Sequence, residues 1–508
     1  MTEPPAPRRP ARAATASSLA AAAAAAVAAS LLAGCTVIPA PAASGTADTQ
    51  GTTPAGTSQP AVRSAEASPE ATAEASPEPM TDVAGAAALA EFVDFPDLSP
   101  LLVPSPDPET LDPLLDEALA LHSGTMSAAV RDGLTGELLY SEGPDQPVVP
   151  ASAVKVLTAV AALQTLGPDH RYSTAAVAQP LEGERTGVVL DAGGDVLLGT
   201  GENAEDANGR AGLGTLAERT AQALEEQDAT GTVVVGVDDS GYEGPGESPD
   251  WSPDIVSSGN ASTVQPIATY GGRARPSRHT DRLHDPALYA AQVFRSELAA
   301  QAEALGLDVT VEAEVDRAEL TGDGTALAEV ESAPLSEQVT YMLQTSDNQV
   351  AEATGRNLAL AAGGEGSFEG ASQTIEETLA DLGVDTEGLE LVDASGLSGA
   401  NRVSAAQLTS AMQVATTSDE LQPAVTGLPA AGKDGTLQDR MVGTAAEGAV
   451  RAKTGTLSSV ASLTGTVQTE DGRTLLFSFI ANGQPGVLDN ARFAVDRAAV
   501  VLAGCGCR

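Results

Sequence analysis

Pro150-Ala151-Ser152-Ala153-Val154-Lys155-Val156-Leu157-Thr158-Ala159-Val160-Ala161-Ala162-Leu163 is an apolar run with a serine at its head and a single lysine inside it. Such a run reads as a buried helix beginning at or just before Ser152. Ser152 would then lie at a helix N-terminus, where unpaired backbone N–H groups and the positive dipole end favour negative charge near its oxygen. Lys155 falls on the same face one turn on, within reach of that hydroxyl. A serine hydroxyl is a poor nucleophile at neutral pH until a base takes its proton. Lys155 can be that base only if burial and nearby positive charge, for which Lys453 is the candidate, lower its pKa. A lone Ser-x-x-Lys is commonly a serine cap followed by an ordinary lysine. A lysine inside an apolar helix, however, is costly to bury unless it is paired.

Two further strings occur once each, in order after the first. Ser346-Asp347-Asn348 follows Leu335-Ser336-Glu337-Gln338-Val339-Thr340-Tyr341-Met342-Leu343, whose apolar positions have helical spacing, and precedes a second helical segment from Val350. It therefore reads as a turn between helices, where Ser, Asp and Asn also serve as local caps. Asp347 shows no chemistry of its own and reads as a turn residue. Lys453-Thr454-Gly455-Thr456 lies in Val450–Thr456, followed by Val460–Val467, a turn at Glu470-Asp471-Gly472-Arg473, and Leu475–Ile480. These are antiparallel strands joined by tight turns. Gly455 would let a ligand backbone approach the strand edge, and Lys453 with the hydroxyls of Thr454 and Thr456 would offer charge and donors to a carboxylate.

With Ser152/Lys155, Ser346/Asn348 and Lys453-Thr454-Gly455 together, the chain resembles the penicilloyl serine transferases, the group of penicillin-binding proteins and serine β-lactamases. The resemblance is closest to a type-4 low-molecular-mass penicillin-binding protein, a D-alanyl-D-alanine carboxypeptidase/endopeptidase of class C, family S13. Ser152 and Ser346 stand 194 residues apart, far more than in a β-lactamase. In the S13 family that interval holds inserted accessory domains. Gly193-Gly194-Asp195, Val237-Asp238-Asp239-Ser240 with Trp251, Asp393-Ala394-Ser395-Gly396-Leu397-Ser398 with Asn401-Arg402-Val403-Ser404, and Leu428-Pro429-Ala430-Ala431-Gly432 with Gly435-Thr436-Leu437 resemble the family too. The likeness covers about residues 120 to 490. Ala394, Gly399 and Val196 depart from the family's Gly, Arg and Pro, which touches the substrate rim and not the acyl-transfer core.

The resemblance implies an α+β fold: a serine β-lactamase/transpeptidase-like catalytic domain, with an antiparallel sheet flanked by helices and a large mixed α/β insertion between the first two motifs. It implies Ser152 as nucleophile on the carbonyl between two D-alanines and Lys155 as base. Ser346 would relay the proton to the leaving amine, and Asn348 would hold Lys155 and the substrate amide. Lys453, Thr454, Gly455 and Thr456 would form the carboxylate-binding strand, with the N–H groups of Ser152 and Thr456 as oxyanion hole. Peptidoglycan stem peptides would be the substrates and β-lactam antibiotics the inhibitors. A serine β-lactamase or esterase of the same fold, and a non-catalytic penicillin-sensing or wall-binding module, are the competing classes. The long insert, the lack of an evident deacylating glutamate and the three intact motifs weigh against them.

Arg8, Arg9 and Arg12 precede an apolar stretch from Leu19 to Leu32 that ends in Leu32-Ala33-Gly34-Cys35. This reads as a secretory signal over residues 1–34 closed by a lipobox-like sequence, so Cys35 would carry the lipid of a mature lipoprotein outside the cytoplasm, attached to the membrane. Residues 35–91 are rich in Ala, Ser, Thr, Pro and Glu and lack the large apolar residues needed to offset ordering entropy, which reads as a disordered tether. Catalytic-domain parts are expected at 92–173 and 333–508, around an insert at 174–332 of alternating strands and helices. Net charge is −44, and −46 once residues 1–34 are removed, which excludes nucleic acid as a partner and protein-charge attraction to an acidic bilayer. The acidic, Ala-rich, Lys-poor composition suggests a GC-rich, actinobacterial genome.

Three cysteines are present. With Cys35 reserved for lipid, Cys505 and Cys507 lie too close together at the chain end to staple the fold, and free thiols or an intermolecular link both remain open. His122, His170, His279 and His284 make no ligand pattern beyond the 279/284 pair, so no metal or other cofactor is implied. Oligomeric state is not legible.

Overall fold

The computed structural model describes residues 103–508, apart from 202–205, 278–280, 323, 484–487 and 507–508. The signal, Cys35 and tether readings fall outside the described residues. The elements in chain order are α1 (Pro108–Leu119), β1 (Thr125–Asp132), β2 (Leu138–Glu142), a 3-10 turn at Ala151–Ala153, α2 (Val154–Leu166), β3 (Ser173–Pro180), β4 (Arg185–Ala192), α3 (Leu213–Glu226), β5 (Gly231–Asp238), α4 (Pro286–Leu305), β6 (Val309–Arg317) and β7 (Thr325–Glu331). After these come α5 (Leu335–Thr345), α6 (Asn348–Ala361), α7 (Phe368–Asp381), α8 (Ala405–Thr417), β8 (Val450–Leu457), β9 (Val460–Gln468), β10 (Thr474–Asn482) and α9 (Leu488–Ala503).

Two five-stranded sheets result, ordered β2-β1-β10-β9-β8 and β6-β5-β4-β3-β7. The first is antiparallel throughout and unites the two ends of the described chain: β1 runs against β10 from Thr125/Asn482 to Asp132/Leu475. β9 is buried from Val460 to Val467 and β10 from Leu475 to Ala481. Strands covered on both faces carry near-continuous apolar residues rather than an alternating pattern. One face packs with α1 and α9 around Leu111, Leu115, Phe477, Phe479 and Val495. The other, through Leu476 and Ile480, meets the helices around α2.

α2 occupies the centre of that helical layer, with every residue from Val154 to Leu163 buried. An all-round apolar helix has no solvent face to present, so it must be surrounded, here by α5, α6, α7 and α8. Gly167, at φ 85°, closes its C-terminus. The second sheet, spanning residues 173–331, pairs β4 with β5 and β5 with β6 in parallel, and packs α3 and α4 on a separate apolar core. Asp285 accepts the Leu288 N–H, with Pro286 in the first turn, and so begins α4. No described helix is long and apolar enough to cross a membrane. Cys505 is buried and disulfide-bonded, which corrects the free-thiol alternative; the other two cysteines lie outside the described residues.

Candidate active site

The structure brings the three motifs to one place, each from a different element. Ser152 lies in the 3-10 turn immediately ahead of α2, partly buried, rather than in the α-helix proper. Ala151 just before it has φ 50°, a left-handed conformation that a residue with a Cβ adopts only at a cost. The surroundings hold this kink from two sides. Ser462 on β9 donates its hydroxyl to the Pro150 carbonyl at 2.8 Å. Gly396 lies so close to the Ala151 carbonyl and the Ser152 N–H that a side chain there would collide with them. Gly455 has a related duty: a Cβ would strike the Ser462 hydroxyl and approach the Pro150 carbonyl at 2.9 Å. The glycine therefore also serves the seating of strand β8 on the turn that carries Ser152.

Lys155 is wholly buried. Its Nζ donates to Asn348 Oδ1 at 2.7 Å, to the Ser395 carbonyl at 2.6 Å and to Ser152 Oγ at 3.2 Å. An ammonium has three donors and this one has three acceptors, so the charged form is saturated. Burial still outweighs the nearby Glu352, Asp393 and Asp347 carboxylates and pulls its pKa down to about 8. The main cause is thus desolvation, while Arg282 adds a smaller positive field, and the Lys155 charge is felt in turn at Lys453.

Ser346 sits at φ 56° in the turn between α5 and α6, which is the left-handed C-cap of α5. Asp347 caps α6, accepting the N–H groups of Gln349 and Val350. It is also paired with Arg273 at 3.0 Å and Arg282 at 3.2 Å, all three side chains being at least nine-tenths buried. The sequence reading as a turn residue is incomplete: Asp347 is where the inserted segment grips the second motif. Around it, Asn348 Nδ2 donates to the Asn260 carbonyl at 2.9 Å and Gln349 Oε1 accepts the Ser262 N–H at 2.9 Å.

On β8, Lys453 is fully buried and donates to the Thr454 carbonyl at 2.8 Å. Burial, then the charges of Lys155 and Arg440, hold its ammonium well below the usual lysine value. The hydroxyl of Thr454 donates to Thr436 at 3.0 Å, and Thr456 is exposed, with the Arg492 guanidinium of α9 donating to its Oγ1 at 3.4 Å. The loop after α7 completes the wall. Asp393 accepts from Gly396 N, Ser398 N, Asn401 Nδ2 and Trp251 Nε1 at 2.7 to 2.9 Å, and so fixes the bend that presents the Ser395 carbonyl to Lys155. Sequence reasoning missed Arg273, Arg282, Arg492 and Glu352 as members of this site. Only Glu352 left a local signal, since it stands four residues after Asn348 and shares its helical face.

Comparison with known proteins agrees with this arrangement. The model of the D-Ala-D-Ala carboxypeptidase 3 (S13) family matches residues 109–277 and 270–503. Carboxypeptidase DacB of Mycolicibacterium smegmatis is 36% identical over 419 residues, covering 80% of this chain and 86% of that protein. The D-alanyl-D-alanine carboxypeptidase of Actinomadura is 32% identical over 449 residues, covering 74% of this chain and 81% of that protein. Penicillin-binding protein 4 of Haemophilus influenzae shares the fold, with a TM-score of 0.61 at 18% identity over 75% of this chain and 98% of its own. The same Haemophilus protein complexed with a novel β-lactam matches with a TM-score of 0.54 at 18% identity, over 76% of this chain and 99% of its own. A family match across nearly all of the described chain leaves one assignment: this chain belongs to the D-Ala-D-Ala carboxypeptidase 3 (S13) family.

Proposed function

We propose that this chain is a serine-type D-alanyl-D-alanine carboxypeptidase/endopeptidase that acts on peptidoglycan stem peptides through an acyl-enzyme and is inhibited by β-lactams. The observation that carries the reading is the coordination of Lys155. When its ammonium loses a proton, the two remaining N–H groups suffice for Asn348 and Ser395, whose contacts are the short ones, and the lone pair falls toward Ser152. The serine proton then has an acceptor 3.2 Å away. With a pKa of about 8, about a tenth of the molecules hold this amine neutral at pH 7.

In the reaction so derived, Ser152 Oγ attacks the carbonyl carbon of the penultimate D-alanine while its proton passes to Lys155. Negative charge on the carbonyl oxygen is met by the N–H groups of Ser152 and Thr456. The carbon–nitrogen bond breaks, the proton reaches the leaving amine through Ser346, and D-alanine departs. Water then hydrolyses the ester. The hydroxyls of Thr454 and Thr456 bind the terminal carboxylate, and the half-exposed Arg492 brings positive charge to the rim that buried Lys453 does not present.

Peptidoglycan as substrate places the enzyme outside the cytoplasm. We further read residues 1–34 as the export signal and Cys35 as its lipid anchor, with residues 35–91 as tether. The test uses a labelled penicillin and a D-Ala-D-Ala peptide: wild type should form a lasting covalent adduct and release D-alanine, and Ser152→Ala should do neither. A labelled Ser152→Ala protein would remove the nucleophile assignment, and rapid loss of the adduct would favour the β-lactamase reading.

A further inference from the structure

Glu352 is wholly buried, one helical turn beyond Asn348 on α6. Its Oε2 accepts the Ala394 N–H at 3.2 Å, while Oε1 is buried with no hydrogen-bond partner of normal geometry. The next peptide, at Ser395, carries the carbonyl that receives Lys155 Nζ, and the Ala394 carbonyl receives the hydroxyl of Thr158 on α2 at 2.7 Å. One carboxyl thus backs the stretch of chain that seats the catalytic lysine. We propose that Glu352 is a positioning residue whose proton is linked to that of Lys155: through Ala394 and Ser395 it fixes where the ammonium sits, and its charge sets the pH above which the lysine serves as base. This inference rests on the reading of Lys155 as base.

Every charged group facing the pair has a stated place. From α6 and its cap come Glu352 and Asp347, from the loop after α7 Asp393, from the inserted segment Arg282, and from β8 Lys453, which feels Lys155 in turn. Asp393 is compensated by four donors. Asp347 is compensated by two guanidiniums. Glu352 has the Ala394 N–H and the Ser395 hydroxyl on its side and one oxygen without a bond of normal geometry, against four donors on Asp393 and two guanidiniums on Asp347. Burial, and then Asp393, push the Glu352 carboxyl up to about 8, while burial pulls Lys155 down to about 8. Two groups that titrate over one interval and sense each other exchange protons as a pair.

The experiment measures the rate of acylation of the full chain by a fluorescent penicillin from pH 6 to 10, in wild type and Glu352→Gln. Glutamine retains a carbonyl oxygen for Ala394 and removes the negative charge that favours the ammonium. The midpoint of the acid limb should move to lower pH by half a unit or more, with the alkaline plateau within about threefold of wild type. A lowered plateau with an unmoved midpoint would show a purely structural role and overturn the linkage.

A second measurement needs no substitution at Glu352. The infrared band of protonated buried carboxyls is titrated in wild type and in Lys155→Met, where loss of the cation should shift the Glu352 midpoint upward. Asp195, held up to about 7 by burial, provides a second buried carboxyl in the same spectra. An unmoved Glu352 midpoint overturns the proposal. A moved midpoint in Lys155→Met beside an unmoved acid limb and an undiminished plateau in Glu352→Gln upholds the linkage and removes Lys155 as base.

Discussion

Asp347→Asn tests how far the catalytic turn depends on the inserted segment. Asparagine caps a helix about as well as aspartate, so the N-cap bonds to Gln349 and Val350 survive and the substitution isolates charge. It leaves Arg273 and Arg282 paired with a neutral amide at a site where the two guanidiniums are 10% and 3% exposed. Removing one partner of a buried ion pair costs about 3 to 5 kcal/mol, and with two cations orphaned the upper part of that range applies. At roughly 2 °C per kcal/mol, the melting temperature should fall by about 8 to 10 °C. Acylation by penicillin should fall about 100-fold, because Asn348, the next residue, orients Lys155 and a displacement of about 1 Å at such a group costs that much.

The pH dependence has a defined sign. Burial alone would raise the Asp347 carboxyl, but Arg282 and Arg273 outweigh it and hold the pKa below the usual carboxylate value. The ion-pair contribution is therefore complete above the unfolded value of about 3.9 and disappears as pH falls through the lower folded value. Wild type and Asp347→Asn should differ by a constant amount from about pH 5 to 8 and converge in acid. Thermal melts across that range, combined in a cycle with Arg282→Met, read both quantities. A melting temperature within 2 °C of wild type, or a coupling below about 0.5 kcal/mol, would refute the argument.

Three further outcomes are expected. Lys155→Arg keeps the charge but cannot deprotonate, so acylation should drop by about 10² to 10⁴, whereas wild-type acylation should rise with pH and level off above about 8; normal acylation in the arginine variant would mean another base. Gly455→Ala should lose activity even on small β-lactams, because the methyl group would displace Ser462 from the Pro150 carbonyl and loosen the Ser152 turn; an unimpaired variant would dismiss the seating role. Cys35→Ala should release the protein from the membrane without altering its intrinsic activity, as cell fractionation and penicillin labelling would show; equal membrane binding by both forms would point to an uncleaved anchor.

What the chain discloses before folding depends on how local the physics is. The Ser152 to Leu163 run announces a buried helix with one lysine because contiguous side chains carry the pattern, and the 3-10 turn ahead of it shifts the nucleophile by only part of a turn. Strands β8 to β10 are equally evident, since their apolar runs and the turn at 470–473 lie within 33 residues of one another, from Val450 to Asn482. Asp347 is legible as a cap because its acceptor serves N–H groups two and three residues away, but its guanidinium partners lie 74 and 65 residues earlier in the chain, beyond any periodicity. Gly455 is the sharper case. Its smallness has a cross-strand cause at Ser462 and a cause 305 residues away at Pro150, and from sequence alone it was assigned to a ligand. The burial of Lys453 is hidden for the same reason: its neighbours in sequence are polar, and only the assembled sheet encloses it, while Arg492 reaches the same strand from the last helix. The three motifs therefore mark which residues folding gathers into one site, while the electrostatic setting of each is decided by segments that sequence separates widely and folding brings together.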